Sequence, residues 1–89
     1  MKVPSRAAAT SWQRIDGEMV LLHVDRGELV GLNRVGGRAW ELIDGARSVD
    51  EIVRVISSEF RADEARVARD VTAFVDALAG ARLIEVREV

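Results

Sequence analysis

Two turn signals divide the first third of this chain into three short runs of strand-forming residues. Asp16-Gly17 suits a two-residue hairpin turn, and Asp25-Arg26-Gly27 suits a three-residue turn with glycine in the left-handed position. Connections this short join antiparallel neighbours. The sequence therefore predicts a β-meander with strands at Trp12 to Ile15, Met19 to Val24 and Glu28 to Leu32.

The last strand of this meander, Glu28 to Leu32, is expected to lie at an edge of the sheet. An edge strand carries an unpaired row of N–H and C=O groups, which a protein either protects or uses to bind another extended segment. The strand belongs to the short apolar stretch Gly27 to Asn33, which ends in a residue that commonly starts helices. We expect this edge to be used for binding.

Three helices are predicted after the strands. Asn33 is the expected N-cap of the first helix, and the Ser48-x-x-Glu51 spacing is typical of a capping box at the start of the second. Asp63 and Glu64 suit the positive end of the third helix dipole. The predicted fold class is α+β: winged-helix-like, a three-stranded antiparallel β-meander followed by three α-helices. The apolar stripes expected to face the core are Val35, Ala39, Leu42 and Ile43, then Val49, Ile52, Val53, Ile56 and Phe60, then Val67, Val71, Phe74, Val75 and Leu78.

Composition excludes several classes of protein. A chain of 89 residues with no internal repeat forms one domain, expected over residues 11–86 after a flexible, alanine-rich lead-in over residues 1–10. The absence of cysteine and the single histidine, His23, leave no basis for a disulfide, a metal site or another bound cofactor. A net charge of −2 gives no electrostatic reason to bind nucleic acid. No apolar run resembles a signal peptide or a membrane helix, so we expect a cytoplasmic protein.

Several short motifs follow one another with regular spacing. They are Leu32-Asn33, Val35-Gly36, Trp40-Glu41-Leu42-Ile43-Asp44-Gly45, Ser48-Val49-Asp50-Glu51-Ile52-Val53, and Asp70-Val71 followed by Phe74 and Leu78. As an ordered set they resemble the PqqD family. These are small peptide-recognition proteins of the biosynthesis of pyrroloquinoline quinone (PQQ) and of other ribosomally synthesised and post-translationally modified peptides (RiPPs). The resemblance extends from about Trp12 to Ile84.

The resemblance implies a non-catalytic, peptide-binding adaptor. In this family the leader of a precursor peptide adds as a further strand beside the third strand, in a groove whose other wall is the third helix. The module then presents the peptide to a modifying enzyme, often a radical S-adenosylmethionine enzyme. Trp40 and the lack of a clear match to their N-terminal strands distinguish this sequence from the quinone-pathway members. We therefore expect a PqqD-like recognition element of PQQ or other RiPP biosynthesis.

The third helix has a face that suits this role. At about 100° per residue, a narrow strip beside the core stripe contains two polar and two small side chains, Arg66, Asp70, Ala73 and Ala77. The two alanines would let a peptide backbone approach, and the charged pair would bind its polar groups. Val67 and Phe74, between this strip and the core, would contact an apolar side chain of the peptide. Together with the edge strand, the predicted peptide-binding residues are Glu28, Leu29, Val30, Gly31, Leu32, Arg66, Val67, Asp70, Ala73, Phe74 and Ala77.

The residues alone leave simpler interpretations open. Arg66 and Asp70, four residues apart on a helix, are more often a solvated ion pair than a recognition device. Val67 and Phe74 are typical core residues, and Gly31 is explained equally well by a β-bulge.

Other functions also remain open. A winged-helix DNA-binding regulator would read DNA with the third helix, although that helix carries several acidic residues that would repel phosphates. A self-associating structural module would pair its third strand with that of a second copy, giving a homodimer instead of a monomer. An enzyme is the least favoured class, because His23 has no nucleophile or carboxylate placed beside it by the sequence.

Overall fold

The computed structural model describes all 89 residues and contains eight elements. The α+β class, the antiparallel strands and the three helices are confirmed, but the strands form two sheets instead of one. None of the helices has both the length and the apolar character that crossing a membrane requires. In chain order the elements are β1 (Lys2–Arg6), β2 (Thr10–Ile15), β3 (Glu18–His23), β4 (Glu28–Leu32), α1 (Arg34–Leu42), α2 (Val49–Phe60), α3 (Glu64–Gly80) and β5 (Ile84–Glu88).

The predicted meander is the larger sheet, with strand order β2-β3-β4. Asp16 and Gly17 both have positive φ, 52° and 84°, as a two-residue hairpin turn that follows the twist of its strands requires. The second turn is one residue longer than predicted, because Val24 lies outside β3. Gly27 takes the left-handed conformation there, with φ 67°. β4 has the predicted bounds and pairs with β3 residue for residue, so Gly31 is not a bulge.

The smaller sheet joins the two ends of the chain. β1 pairs with β5 in antiparallel register, from Lys2 opposite Glu88 to Arg6 opposite Ile84. The prediction of a flexible lead-in over residues 1–10 is therefore wrong for Lys2–Arg6. Val3 is only 4% exposed, so its burial and the strand pairing fix this segment.

Side chains cap the start of each helix as the sequence predicts. The Asn33 side chain accepts the Gly36 N–H at 2.7 Å, which begins α1 directly after β4. Ser48 and Glu51 form the predicted capping box of α2. Asp63 accepts the Arg66 N–H at 3.1 Å and begins α3. Because Asn33 follows Leu32 directly, the edge strand leads straight into the first helix.

One continuous core holds the larger sheet against the helices. Trp40, Leu21, Ile43 and Ile56 are fully buried in it. Leu32 of the edge strand belongs to the same cluster. The core thus fixes the position of β4 relative to α1 and α3, which is the relationship on which the candidate site depends.

Candidate functional site

The free edge of β4 exposes the backbone groups of Leu29 and Gly31. In the two-residue hairpin between β2 and β3, Ile15 and Glu18 form the hydrogen-bonded pair next to the turn, and bonding direction then alternates along each strand. The residues of β3 that bond toward β4 are therefore those paired with Glu28, Val30 and Leu32. The two residues between them, Leu29 and Gly31, direct their N–H and C=O groups away from β3, toward the open edge.

The side chains of β4 alternate in the same way. Leu32 is buried and Val30 is half-buried and packs against the core. Leu29 is 70% exposed on the opposite face of the sheet. A Cβ added at Gly31 would meet nothing within 4 Å. The outward backbone groups therefore lie beside side chains that leave the edge open to another strand.

On α3 the structure separates the predicted residues by exposure. Arg66, Asp70, Ala73 and Ala77 are all exposed, as the helical period predicts. Val67 is only 6% exposed and belongs to the core cluster, and Phe74 is half-buried against it. Val67 is therefore a core residue, as the simpler interpretation predicts, whereas Phe74 is only partly buried.

The edge strand and α3 meet at Gly36, in the first turn of α1. A Cβ added at Gly36 would lie 3.6 Å from Leu32 Cβ and 3.5 Å from Phe74 Cε1. It would also lie 3.1 Å from Asn33 Oδ1, the capping oxygen. Glycine at this position thus lets the end of β4, the start of α1 and the aromatic ring of α3 approach each other closely.

A cleft of about 420 Å³ opens at this meeting point. We call it the Phe74 cleft. Asp70, Ala73 and Phe74 line it from α3, and Val35 and Gly36 line it from α1. Val35 is 38% exposed. The Phe74 cleft therefore combines accessible apolar surface with small side chains.

A second cleft, of about 610 Å³, continues along the first turns of α3. We call it the arginine cleft, because Arg34, Arg61 and Arg66 line it. It shares Val35 and Asp70 with the Phe74 cleft, so the two form one groove beside α3.

The structure thus brings together only part of the predicted site. Arg66, Val67, Asp70, Ala73 and Phe74 line the two clefts. Ala77 lines neither cleft. Glu28 to Leu32 also line neither cleft and contribute an adjoining strand edge instead.

Sequence reasoning missed the contributions of α1 and α2 to this groove. The helical period places Val35 in the core and gives Asn33 only a capping role, but both line the Phe74 cleft. Arg34, Phe60 and Arg61 line the arginine cleft. The three-residue spacing of Asn33 and Gly36, typical of a helix N-cap, could have indicated that these two residues lie together. No comparable pattern indicates the arginine cleft, which depends on how α2 packs against α3.

These features define a class of small α+β domains in which an open strand edge adjoins a helix-lined groove. Residues 18–84 match the profile of the family described as Coenzyme PQQ synthesis protein D (PqqD). The chain belongs to the PqqD family. The resemblance read from the sequence motifs is therefore confirmed. A search of curated protein sequences finds no significant match.

Solved structures share the fold over nearly the whole chain. TbiB1, in complex with the TbiA(beta) leader peptide, is 38% identical with a TM-score of 0.83, and the alignment covers 91% of this chain and 94% of TbiB1. Lasso peptide synthetase B1, complexed with the leader peptide, is 22% identical with a TM-score of 0.83, covering 92% and 96%. The PqqD truncation of Methylobacterium extorquens PqqCD, a stand-alone RiPP recognition element, is 22% identical with a TM-score of 0.78, covering 93% and 88%. At 22% identity the last two establish a common fold only.

Proposed function

We propose that this protein captures the leader of a ribosomally synthesised precursor peptide and presents it to a modifying enzyme. The observation that carries the proposal is the open edge of β4 beside the groove along α3. It is supported by the 38% identity to TbiB1, whose structure contains a leader peptide. An extended peptide fits such an edge, because strand addition satisfies backbone groups that are otherwise unpaired.

The edge alone would bind a peptide weakly. Leu29 and Gly31 offer an N–H and a C=O each, and a net contribution of ~1 kcal/mol per hydrogen bond gives about 4 kcal/mol. Micromolar affinity corresponds to about −8 kcal/mol, and ordering the peptide adds a further cost. Burial of apolar surface must therefore supply at least as much as the ladder. The Phe74 cleft, next to the end of β4, is where we place an apolar side chain of the leader.

The peptide-binding residues in this proposal fall into two groups. Leu29 and Gly31 form the ladder, with Glu28, Val30 and Leu32 holding the strand in place. Asp70, Ala73 and Phe74 contact the anchor, Val67 supports them from the core, and Arg66 lies at the far end of the groove. Ala77, outside both clefts, would meet only a peptide that extends past the Phe74 cleft.

We propose no catalytic role and no cofactor for this domain. The modifying enzyme, which includes the radical S-adenosylmethionine class among its candidates, would act on the part of the peptide that extends beyond the groove. We further propose a winged-helix-like arrangement and a cytoplasmic location, as the sequence indicates. DNA reading by α3 is disfavoured, because Asp63, Glu64, Asp70 and Asp76 lie on or beside that helix.

A titration of isotope-labelled protein tests the proposal. The probes are the TbiA(beta) leader and the N-terminal half of a short peptide encoded beside this protein's gene. We expect backbone amide shifts at Leu29 and Gly31 and along Arg66 to Phe74. A folded protein whose edge and groove signals stay unchanged with both probes would contradict leader capture.

The same titration separates leader capture from self-association. A dimer formed through β4 would use the same backbone groups, so peptide should dissociate it. Light scattering during the titration measures this, and a dimer that binds peptide without a change in subunit number would exclude competition at the edge.

A further inference from the structure

Three arginines of the arginine cleft have no partner within the protein. Arg34, Arg61 and Arg66 are exposed, and none forms an ion pair or a side-chain hydrogen bond. The Arg34 guanidinium lies 5.2 Å from the centre of the Phe60 ring, which orients it over an apolar wall of the cleft. Three guanidinium groups without an ion-pair partner thus line one cleft.

Most carboxylates of the same cleft already have partners. Both oxygens of Glu59 accept hydrogen bonds from Arg38, at 2.7 and 2.8 Å. Asp63 caps α3 through the Arg66 N–H. Asp70 remains without an ion-pair partner, at the border with the Phe74 cleft. The cleft is lined by three arginines and three carboxylates, but Arg38 outside the cleft pairs with Glu59, so the unpaired groups are three guanidinium groups against Asp70 and the capping carboxylate of Asp63.

The backbone at Arg61 is consistent with a binding role for this side chain. Arg61 ends α2 with φ 50°, in the left-handed region where glycine is the favoured residue. Arginine at this position supplies a cationic side chain to the lining of the cleft, which glycine would not.

We propose that the arginine cleft binds an acidic side chain of the leader, next to an apolar residue seated on Val35 and Phe60. This inference rests on the proposed function and adds a charge preference to it. A carboxylate suits the site because guanidinium groups bind its two oxygens in a planar, charge-assisted arrangement. The Phe74 cleft contains Asp70 and no arginine, so the arginine cleft is the favoured place for an acidic side chain.

Matched triple variants test the charge preference. Arg34→Gln/Arg61→Gln/Arg66→Gln removes the cleft arginines. The control, Arg54→Gln/Arg69→Gln/Arg82→Gln, removes three exposed arginines outside the cleft that also form no ion pair, so both variants have the same net charge. Thermal unfolding followed by circular dichroism confirms that both fold. We expect leader affinity to fall about tenfold in the cleft variant, and by less than about twofold in the control.

Substitution in the peptide identifies the partner of the arginines. Each Asp and Glu of the TbiA(beta) leader, and of the leader encoded beside the gene, is replaced in turn by Asn or Gln. We expect one position whose substitution weakens binding to the wild-type protein but has no effect on the cleft variant, as a double-mutant cycle requires for a direct pair. The loss should diminish as salt is raised.

Three outcomes overturn the inference. Equal losses in the two triple variants would show a general effect of net charge. A leader that binds well without any acidic position coupled to the cleft would remove the charge preference while leaving leader capture intact. If the wild-type protein binds neither leader, the proposed function itself fails, and this inference fails with it.

Discussion

Val30 lies opposite Leu21 in the ladder between β3 and β4, as a hydrogen-bonded pair whose backbone groups point into the sheet. Its neighbour Gly31 has the opposite orientation, with its N–H at the open edge. The two positions therefore differ in function although both lie in the same five-residue strand. Two proline variants separate the stability of the strand from its capacity to bind.

Val30→Pro should destabilise the protein, and Gly31→Pro should weaken peptide binding without unfolding the sheet. The first removes a ladder hydrogen bond inside the sheet and leaves a β3 carbonyl without its donor, a cost of about 1–3 kcal/mol. The second removes an N–H that has no partner in the free protein, which edge strands tolerate. Urea denaturation and peptide titration of both variants measure the two effects. A folded Val30→Pro protein with full stability would show that the Val30 N–H does not bond to β3.

Ala73→Leu should block the Phe74 cleft, whereas Ala77→Leu should leave binding unchanged. Both alanines are exposed on α3, but only Ala73 lines the cleft. Leucine is a good helix former, so neither change should disturb the helix. We expect affinity for the leader to fall about tenfold or more for Ala73→Leu, as expected when added methylenes crowd a fitted site. Equal affinity of the two folded variants would move the anchor out of the cleft.

Asn33→Ala should lower the free energy of unfolding by about 1 kcal/mol, because it leaves the Gly36 N–H without its capping acceptor. Asn33→Asp keeps an acceptor at the same place and is the matched control, with a favourable charge at the helix N-terminus. Chemical denaturation of both variants tests this. A stability loss that is the same for alanine and aspartate would exclude capping as the cause.

Acid should weaken the link between α1 and α2. The hydrogen bond from Arg38 is the main cause that holds the pKa of Glu59 below its usual range. A carboxyl group with a lowered pKa stabilises the folded state above its unfolded pKa, and this contribution is lost as pH falls through the folded pKa. Glu59→Gln should therefore be less stable than wild type at neutral pH. The difference should begin to shrink as pH falls below about 4.3, and it should vanish only below the lowered pKa of Glu59. Thermal unfolding of the two proteins across this pH range measures it, and a constant difference would refute the assignment.

Much of the fold could be predicted because its signals are local. The turn at Asp16-Gly17 and the caps at Asn33 and Ser48 each depend on residues within a few positions of one another. The pairing of β1 with β5 has no such signal, since it joins opposite ends of the chain. Pro4 and the alanines that follow β1 also obscure the alternation by which a strand is recognised.

For the candidate site too, the features that depend on a single element could be predicted, and those that depend on packing between elements could not. The helical period correctly grouped the exposed residues of α3, because that grouping depends on one helix alone. The end of the Phe74 cleft between Ala73 and Ala77 depends on where α1 crosses α3, and the arginine cleft depends on where α2 ends. Interhelical packing of this kind is set by many contacts, so a single sequence does not specify it in advance.

Val3→Ala tests the contribution of the N-terminal strand to stability. Val3 is 4% exposed in β1, and the lost methyl groups together with the cavity they leave should cost about 2 kcal/mol. Val89→Ala removes the same atoms from a side chain that is 70% exposed, so its effect should stay within about 0.5 kcal/mol. Urea denaturation measures both effects. If Val3→Ala is as stable as Val89→Ala, β1 does not contribute to the folded core, and the two chain ends are held by the backbone ladder alone.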